Sequence, residues 1–587
     1  MIIVNIIKSL IYELLIYMNL LLEYILIFIQ ILIMSVFISG CGFVFKKIIF
    51  KIDERKLYED NGLWGFLLIS FLALLVNFFL PLTILINTTI FLILALIIWK
   101  LNFFNQSKKK LIKKSFLITS LSFILIIHSN VNMPDALLYH LPYSKLINEN
   151  EILIGSVNLH HRFGHISIFQ YISSFFYNIF FKHNGLLIPI SLLTSFFLVS
   201  LYKQYRILFI KSSFRIVSYV IFLILIISIY SFSRYSNFGN DSQVHIYYFL
   251  LFAYILQNNF DYKDNVVLKK ISLIALFTFL LKPFYFFSLL IPLGILIVNK
   301  NYKIFFLSLS FLFASFISFI WFLKNVLITG CLIYPIVFTC FKNLSWTAVI
   351  DIKRQNLLGE AMSKGWQYRF DKSILMKDYI NNFNWLHAWF DVHANIVFEK
   401  SIPVLIFLFV NIVFFYVFKT FKINKINKIN KINKVNTVAL IFLSSSFLGS
   451  LVWFLKFPTY RYGHSYLYSL LLIIIYIFIF TKFDVLRLFN IKKYLNIIII
   501  ISVCGLLIKN LNRINNKIDD PIMPHLFDNI NHKNISIKIF NDEGIFTHFI
   551  KKDGSLCGYS QSPCANGKPK INIKEIIGFK VYYKQKK

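Results

Sequence analysis

Long apolar runs separated by short polar segments dominate the chain, and their lengths predict helices that cross a lipid bilayer. A hydrocarbon core of ~30 Å takes about 20 residues of α-helix at ~1.5 Å per residue. Apolar runs fall at 20–45, 63–80, 83–99, 115–129, 184–201, 216–232, 244–257, 271–281, 284–298, 304–322, 402–418, 437–455, 465–481 and 494–508. The run 271–281 is short and ends at Lys282-Pro283, which marks a tilted, broken or re-entrant element. Residues 2–18 are apolar but interrupted by Lys8 and Glu13. They read as an extra span, an interfacial helix or the start of the first span. Without an Ala-x-Ala-like site they are not read as a removed signal peptide. The pattern predicts an all-α polytopic membrane protein of about 13–14 transmembrane helices over residues 1–508.

Lysine and arginine sort into alternate loops. Thirty lie in 46–57, 100–114, 203–215, 263–270, 300–303, 419–434 and 482–493; only Arg234, Lys282, Lys456 and Arg461 lie in the short loops between. The positive-inside rule makes the first set cytoplasmic. The long loops 130–183 and 323–401 and the tail 509–587 then lie outside a bacterial cytoplasmic (inner) membrane. Composition agrees: 58% hydrophobic, 15% charged and a mean hydropathy of +0.68, against roughly 45–50% and about 25% in soluble domains. The net charge of +35 is therefore spread through loops, not gathered into a nucleic-acid-binding patch. Residues 419–436 hold a Lys-Ile-Asn repeat whose period of three smears Ile around a helix, so they read as a cytoplasmic linker touching anionic lipid.

The tail alternates β-favouring runs (Ile535 to Phe540, Ile545 to Ile550, Ile576 to Tyr583) with Gly, Asp and Asn, and reads as a small extracytoplasmic α+β module. Cys557 and Cys564 flank a turn-like segment there, a spacing that suits a disulfide in an oxidising compartment, with two unpaired thiols as the alternative. Cys41, Cys331, Cys340 and Cys504 lie in or beside apolar runs and read as small buried hydrophobes.

Chemistry is expected where an apolar chain retains ionisable groups in its outer loops, because charge near hydrocarbon is costly. The chain has no Walker loop, no GxSxG and no HExxH. The first outer loop carries Asp135, Tyr139, His140, Tyr143 and Lys145. A helix would put Asp135, Tyr139 and Tyr143 on one face. Asp135 then serves either as a helix cap after Pro134 or as a catalytic or binding carboxylate. His160, His161, Arg162 and His165 follow. His161 and His165, four apart, suit metal ligation on a helix, contact with an anionic or sugar ligand, or a structural role. A second loop places Asp241 four residues before His245 and just after Asn240; Asp241 is a second acid or a helix N-terminal residue favoured by the macrodipole. Arg234, Lys282 and Arg461 suit a phosphate, or snorkel at the interface. Lys324 and Tyr334 open a loop rich in Trp, including Trp346, Trp366, Trp385 and Trp389; such rings bind sugar faces or pack cores.

Many spans, an Asp opening the first large outer loop, a further acidic outer loop and a Lys-Asn…Gly…Tyr-Pro segment together resemble the GT-C superfamily of integral-membrane glycosyltransferases. The segments PDALLYHLPYSKLIN, NLHHRFGHISIFQ, FGNDSQVH, GCLIYP and CGYSQSPC are similar to a family of uncharacterised bacterial multi-span proteins. The GT-C resemblance implies a polyprenyl-phosphate-linked sugar donor, a catalytic carboxylate at Asp135 and a second acid at Asp241. It differs in having three further spans before the catalytic loop and no paired acid at position 135. The expected activity is sugar transfer at the outer face to a glycan, lipid or protein acceptor. Tyr139, His140, Tyr143, His160, His161, Arg162, Arg234, Asn240, Lys282, Lys324, Tyr334 and Arg461 are the expected substrate contacts. This reading assigns no cofactor and leaves a divalent metal open, with His161 and His165 as its candidates. The alternatives are a polysaccharide polymerase or ligase, and a lipid-linked saccharide transporter. The spatial expectation is that Asp135, Asp241 and Arg461 converge.

Overall fold

The computed structural model describes residues 2–55, 57–105, 108–127, 135–165, 167–210, 215–231, 239, 241–258, 265–299, 302–420, 437–482, 491–515, 549–550, 557–560, 562–565, 571–576 and 578–584. Arg234, Asn240, most of the Lys-Ile-Asn repeat and the run Ile535 to Phe540 lie outside the described residues.

The apolar runs fall on helices. The first four are α1 (Ile2–Ile49), α2 (Tyr58–Asn77), α3 (Ile84–Lys100) and α4 (Lys108–Ile127). Two short helices, α5 (Leu141–Glu149) and α6 (Phe169–Phe175), lie in the loop that follows. Next come α7 (Ile188–Ile210), α8 (Arg215–Tyr230), α9 (Asp241–Gln257), α10 (Asn265–Leu281), α11 (Leu290–Asn299), α12 (Tyr302–Phe306) and α13 (Leu309–Thr329). A second long loop holds α14 (Val349–Ser363), α15 (Met376–Asn381) and α16 (Leu386–Trp389). The last helices are α17 (Asn395–Thr420), α18 (Thr437–Lys456), α19 (Tyr460–Lys482) and α20 (Ile491–Asn515).

Among the described residues, five helical stretches are long and apolar enough to cross a membrane: Leu21–Ile49, Tyr58–Asn77, Leu309–Thr329, Leu386–Val410 and Thr437–Lys456. Exposed Leu85, Leu96 and Trp99 on α3 and Leu312, Phe316 and Phe319 on α13 give these helices apolar outer faces suited to lipid. Residues 2–18 continue straight into α1 and form no separate helix.

Helices α1 and α2 meet backbone to backbone. A Cβ on Gly42 would sit 1.7 Å from the Asn61 carbonyl oxygen, and one on Gly65 would sit 2.0 Å from that of Ile38. Only glycine allows so close a crossing. Helix α10 ends at Leu281, and the backbone of Lys282 is extended (φ −155°, ψ 111°). Pro283 then opens a 3-10 segment, Pro283–Leu289, that leads into α11. The expected break at Lys282-Pro283 is thus present.

The two long loops fold on themselves. Trp385 and Trp389 are buried with Tyr379 and Phe454 in a small core of their own, and the Trp389 indole donates to the Pro458 carbonyl at 2.6 Å. Trp321 is buried as well. These rings pack protein and do not line a groove for a saccharide, which corrects their expected role. Cys331 and Cys340, expected as separate buried thiols, form a disulfide. Gly330 (φ 78°) ends α13, and the chain returns with Leu332 donating to Thr339 and Phe341 to Gly330, which sets the two cysteines opposite each other. Cys41 is buried and Cys504 exposed, so the expectation fails at Cys504 too.

The tail contributes β1 (Phe549–Ile550) beside β2 (Cys564–Ala565), and a hairpin of β3 (Asn572–Ile576) with β4 (Phe579–Tyr583). Gly578 (φ 78°) makes the hairpin turn, so the expected single run from Ile576 to Tyr583 is divided. Cys557 and Cys564 are disulfide-bonded. Val581 bridges to Ile154, seating the tail against the first long loop.

Candidate functional site: an accessible ion-pair centre

Five charged side chains from separate parts of the chain meet at one end of the helices. Asp135 stands at the head of a π-turn, Ala136–His140, that runs into α5. Its side chain makes no cap bond to that turn. It pairs with Arg162 and accepts from Arg461 Nη1 at 3.3 Å. Asp241, the first residue of α9, pairs with Lys282 at the helix break, and Arg461 Nε lies 4.0 Å from its Oδ2. Arg461, in the first turn of α19, therefore joins the two carboxylates. The five side chains are 20–48% exposed, so the centre is open to a ligand. Three cations against two carboxylates leave it one positive charge in excess.

Aromatic rings flank this centre. The Arg162 guanidinium lies 5.0 Å over Tyr139, and Lys282 Nζ lies 3.8 Å over Tyr462. Arg461 lies 5.0 Å over the same Tyr462 ring and donates to its hydroxyl at 3.1 Å. Tyr139, His160 and His161 form a stepped column of near-parallel rings, with centroids 6.5 Å and 4.9 Å apart.

Burial opposes ionisation of both acids, yet the neighbouring cations win. Arg162 and Arg461 hold Asp135 below the ordinary carboxylate range, and Lys282 and Arg461 hold Asp241 well below it. His140 lies buried beneath them and accepts at Nδ1 from Gln170 Nε2 at 2.8 Å. Burial pushes its pKa down to about 4 despite the nearby carboxylates. His160 and His165 are pushed down to about 3, again chiefly by burial, so all three rings are neutral at pH 7.

A support shell fixes Arg461. His245, four residues after Asp241 on α9, donates from Nε2 to the Arg461 carbonyl at 2.9 Å. That bond makes Nδ1 an acceptor, facing the Ser465 hydroxyl at 3.0 Å and the Tyr285 hydroxyl at 3.1 Å. One turn of α9 thus supplies both a carboxylate and the anchor of the cation it faces.

Other expected contacts lie elsewhere. Tyr143 is buried, packed on Phe163 with ring centroids 5.4 Å apart, because the π-turn breaks the helical spacing that would align it with Tyr139. Lys324 is buried on α13 with its ammonium 5.3 Å over Trp321. Tyr334 is buried edge-on to the His165 ring at 4.9 Å. His161 and His165 lie in a 3-10 turn, where residues four apart no longer share a face. Among the described residues no group of three or more His, Cys, Asp or Glu is gathered to hold a metal ion. Tyr462 and His245 were missed as site residues. Their signals were adjacency to Arg461 and the four-residue offset from Asp241; Gln170 carried none.

Together these features define a helical protein with membrane-suited helices and an ion-pair centre at one end. The chain belongs to the family described as Domain of unknown function (DUF8201), which it matches over residues 24–468. No curated protein and no solved structure matches it.

Proposed function

We propose that the protein is a GT-C-like, polytopic glycosyltransferase of about 13–14 spans in a bacterial cytoplasmic membrane. It transfers a sugar from a polyprenyl-phosphate-linked donor to a glycan, lipid or protein acceptor at the outer face. The observation that carries this reading is the meeting of Asp135 and Asp241 with Arg162, Lys282 and Arg461 in an accessible centre.

Those carboxylates, held by cations, are weak bases while the site is empty of ligand. An arriving phosphate competes for the same guanidinium and ammonium groups, since charge-assisted bonds to phosphate suit the planar Arg fork. Asp135, released, recovers its basicity and takes the acceptor's hydroxyl proton. The acceptor oxygen bonds to the sugar's anomeric carbon as that carbon's bond to the phosphate oxygen breaks. Polyprenyl phosphate leaves, its charge held by Arg461 and Lys282. General-base help of this kind is worth typically ~10²–10⁴-fold. The column of Tyr139, His160 and His161 offers flat faces beside the reacting groups for a sugar ring.

The test is transfer in vesicles supplied with a polyprenyl-phosphate-linked sugar. Asp135→Asn is expected to abolish product while membrane insertion is unchanged. Full activity of that variant, with activity lost instead in Arg461→Gln and His160→Ala, would replace this reading by a polymerase or ligase. Donor crossing the bilayer without product would replace it by a transporter.

A further inference from the structure

The π-turn that carries Asp135 leaves a backbone acceptor without a donor of its own. Leu141 N–H bonds to the Ala136 carbonyl, so it does not serve Leu137, as an α-turn would have it do. The π-type donor to Leu137 would be residue 142, which is proline and has no N–H. A carbonyl orphaned in this way needs a partner from outside the helix. Gly558 supplies it: its N–H donates to the Leu137 carbonyl at 2.8 Å, across more than four hundred residues of sequence.

Further bonds continue along the same loop. The Tyr559 hydroxyl donates to Asn148 Oδ1 at 3.0 Å, and its ring lies under Lys145 Nζ at 4.8 Å. Ser562 N–H donates to Glu149 Oε2 at 2.8 Å. Tyr582 N–H donates to the Ile154 carbonyl at 2.9 Å, and Asn158 Nδ2 donates to the Tyr582 carbonyl at 3.1 Å. The points of attachment (137, 148, 149, 154 and 158) lie between Asp135 and its partner Arg162. The Cys557–Cys564 bridge closes the short loop that presents Gly558 and Tyr559.

We propose that the C-terminal segment is a positioning element of the Asp135 centre: a disulfide-closed latch that completes the π-turn and fixes Asp135 against Arg162 and Arg461. Its effect on the reaction rests on the glycosyltransferase reading; its effect on the backbone does not. The test uses the full chain in lipid nanodiscs. A dithiol would also open Cys331–Cys340, so the latch is opened by Cys557→Ser/Cys564→Ser and, separately, by Tyr559→Ala. Amide exchange across 136–149 is expected to quicken at least tenfold in both, with α7 and α9 unchanged. Tyr559→Phe, which keeps the ring in its slot but loses the bond to Asn148, quickens it less than Tyr559→Ala. Freed of its cations, Asp135 regains a higher pKa, so the acid limb of the transfer rate moves to higher pH. Unchanged exchange across 136–149 in both opened forms would overturn the latch. Faster exchange with an unmoved acid limb would overturn its positioning role. Absence of transfer by the unaltered protein would refute the glycosyltransferase reading, and exchange alone would then decide the latch.

Discussion

The molecule carries a second charge cluster at the far end of α2, and the two differ in what surrounds them. Helix α2 has 20 residues, so its ends stand about 30 Å apart. Asn77 at its last turn donates to the Ile147 and Asn150 carbonyls beside α5, on the Asp135 side. At its first turn, Lys46 of α1 meets Glu54 at 2.6 Å and Asp60 at 2.5 Å, and Glu59 pairs with Lys203 and lies 3.5 Å from Lys114. Lys46 is 0% exposed and Glu59 2%, so this cluster has a buried centre ringed by groups 21–31% exposed, whereas no member of the Asp135 centre falls below 20%. The first cluster pins α1, α2, α4 and α7 together around the buried Lys46 and Glu59. The second uses the same chemistry where a ligand can enter. Burial, not charge, separates a brace from a site.

Substitutions at the two ends should therefore fail in opposite ways. Asp135→Asn is expected to lower transfer by ~10²–10⁴-fold while shifting unfolding by under about 1 kcal/mol, as for exposed pairs. Lys46→Met is expected to cost about 3 kcal/mol of stability, because it removes a fully buried ammonium and takes from Asp60 its ion-pair partner, while Glu54 keeps Lys270 at 3.5 Å. Thermal unfolding in detergent reads this, and a loss below about 1 kcal/mol would erase the distinction. Arg461→Gln comes next, with donor binding weakened about tenfold, or ~1.4 kcal/mol, and its salt dependence flattened. Equal salt dependence in the two proteins would count against a phosphate at that cation.

The last effect is in pH. His140, pushed down to about 4 by burial, stays neutral in the folded state, whereas an unfolded histidine titrates at about 6.5. Below that value the unfolded chain takes up a proton that the folded chain refuses. Stability is thus full above pH ~6.5 and falls toward pH ~4, by at most about 1.4 kcal/mol per pH unit for each such histidine. Asp135 and Asp241, with lowered pKa values, add their loss only below pH ~4. Unfolding midpoints measured across this range check the sign. A flat profile from pH 7 to 5 would show that His140, His160 and His165 are hydrated.

The helices and the charged members of the site were legible because apolar runs and stray ionisable groups are local signals. Asp135 and Asp241 stood out as acids beside apolar runs, and Lys282 and Arg461 as two of the few cations in their set of short loops. Tyr143 and the tryptophans did not sort correctly, since an aromatic residue reads the same in sequence whether it lines a groove or fills a core. The π-turn at Ala136–His140 defeated the four-residue spacing on which Tyr143 and Tyr139 had been aligned. Cys331 and Cys340 concealed their bond because a tight turn, not the apolar runs beside them, brings them together. The docking of Gly558 on Leu137 had no local trace at all: a missing donor shows only once the turn is known.

The contact of Gly42 and Gly65 with opposing carbonyls has a mechanical corollary. Main chain pressed on main chain has no rotamers to rearrange, so α1 and α2 form a stiff wall that cannot yield by repacking. Relative movement of helices falls more readily where α9, α10 and α19 meet, because there the Lys282 interruption and the His245–Arg461 tie provide a joint.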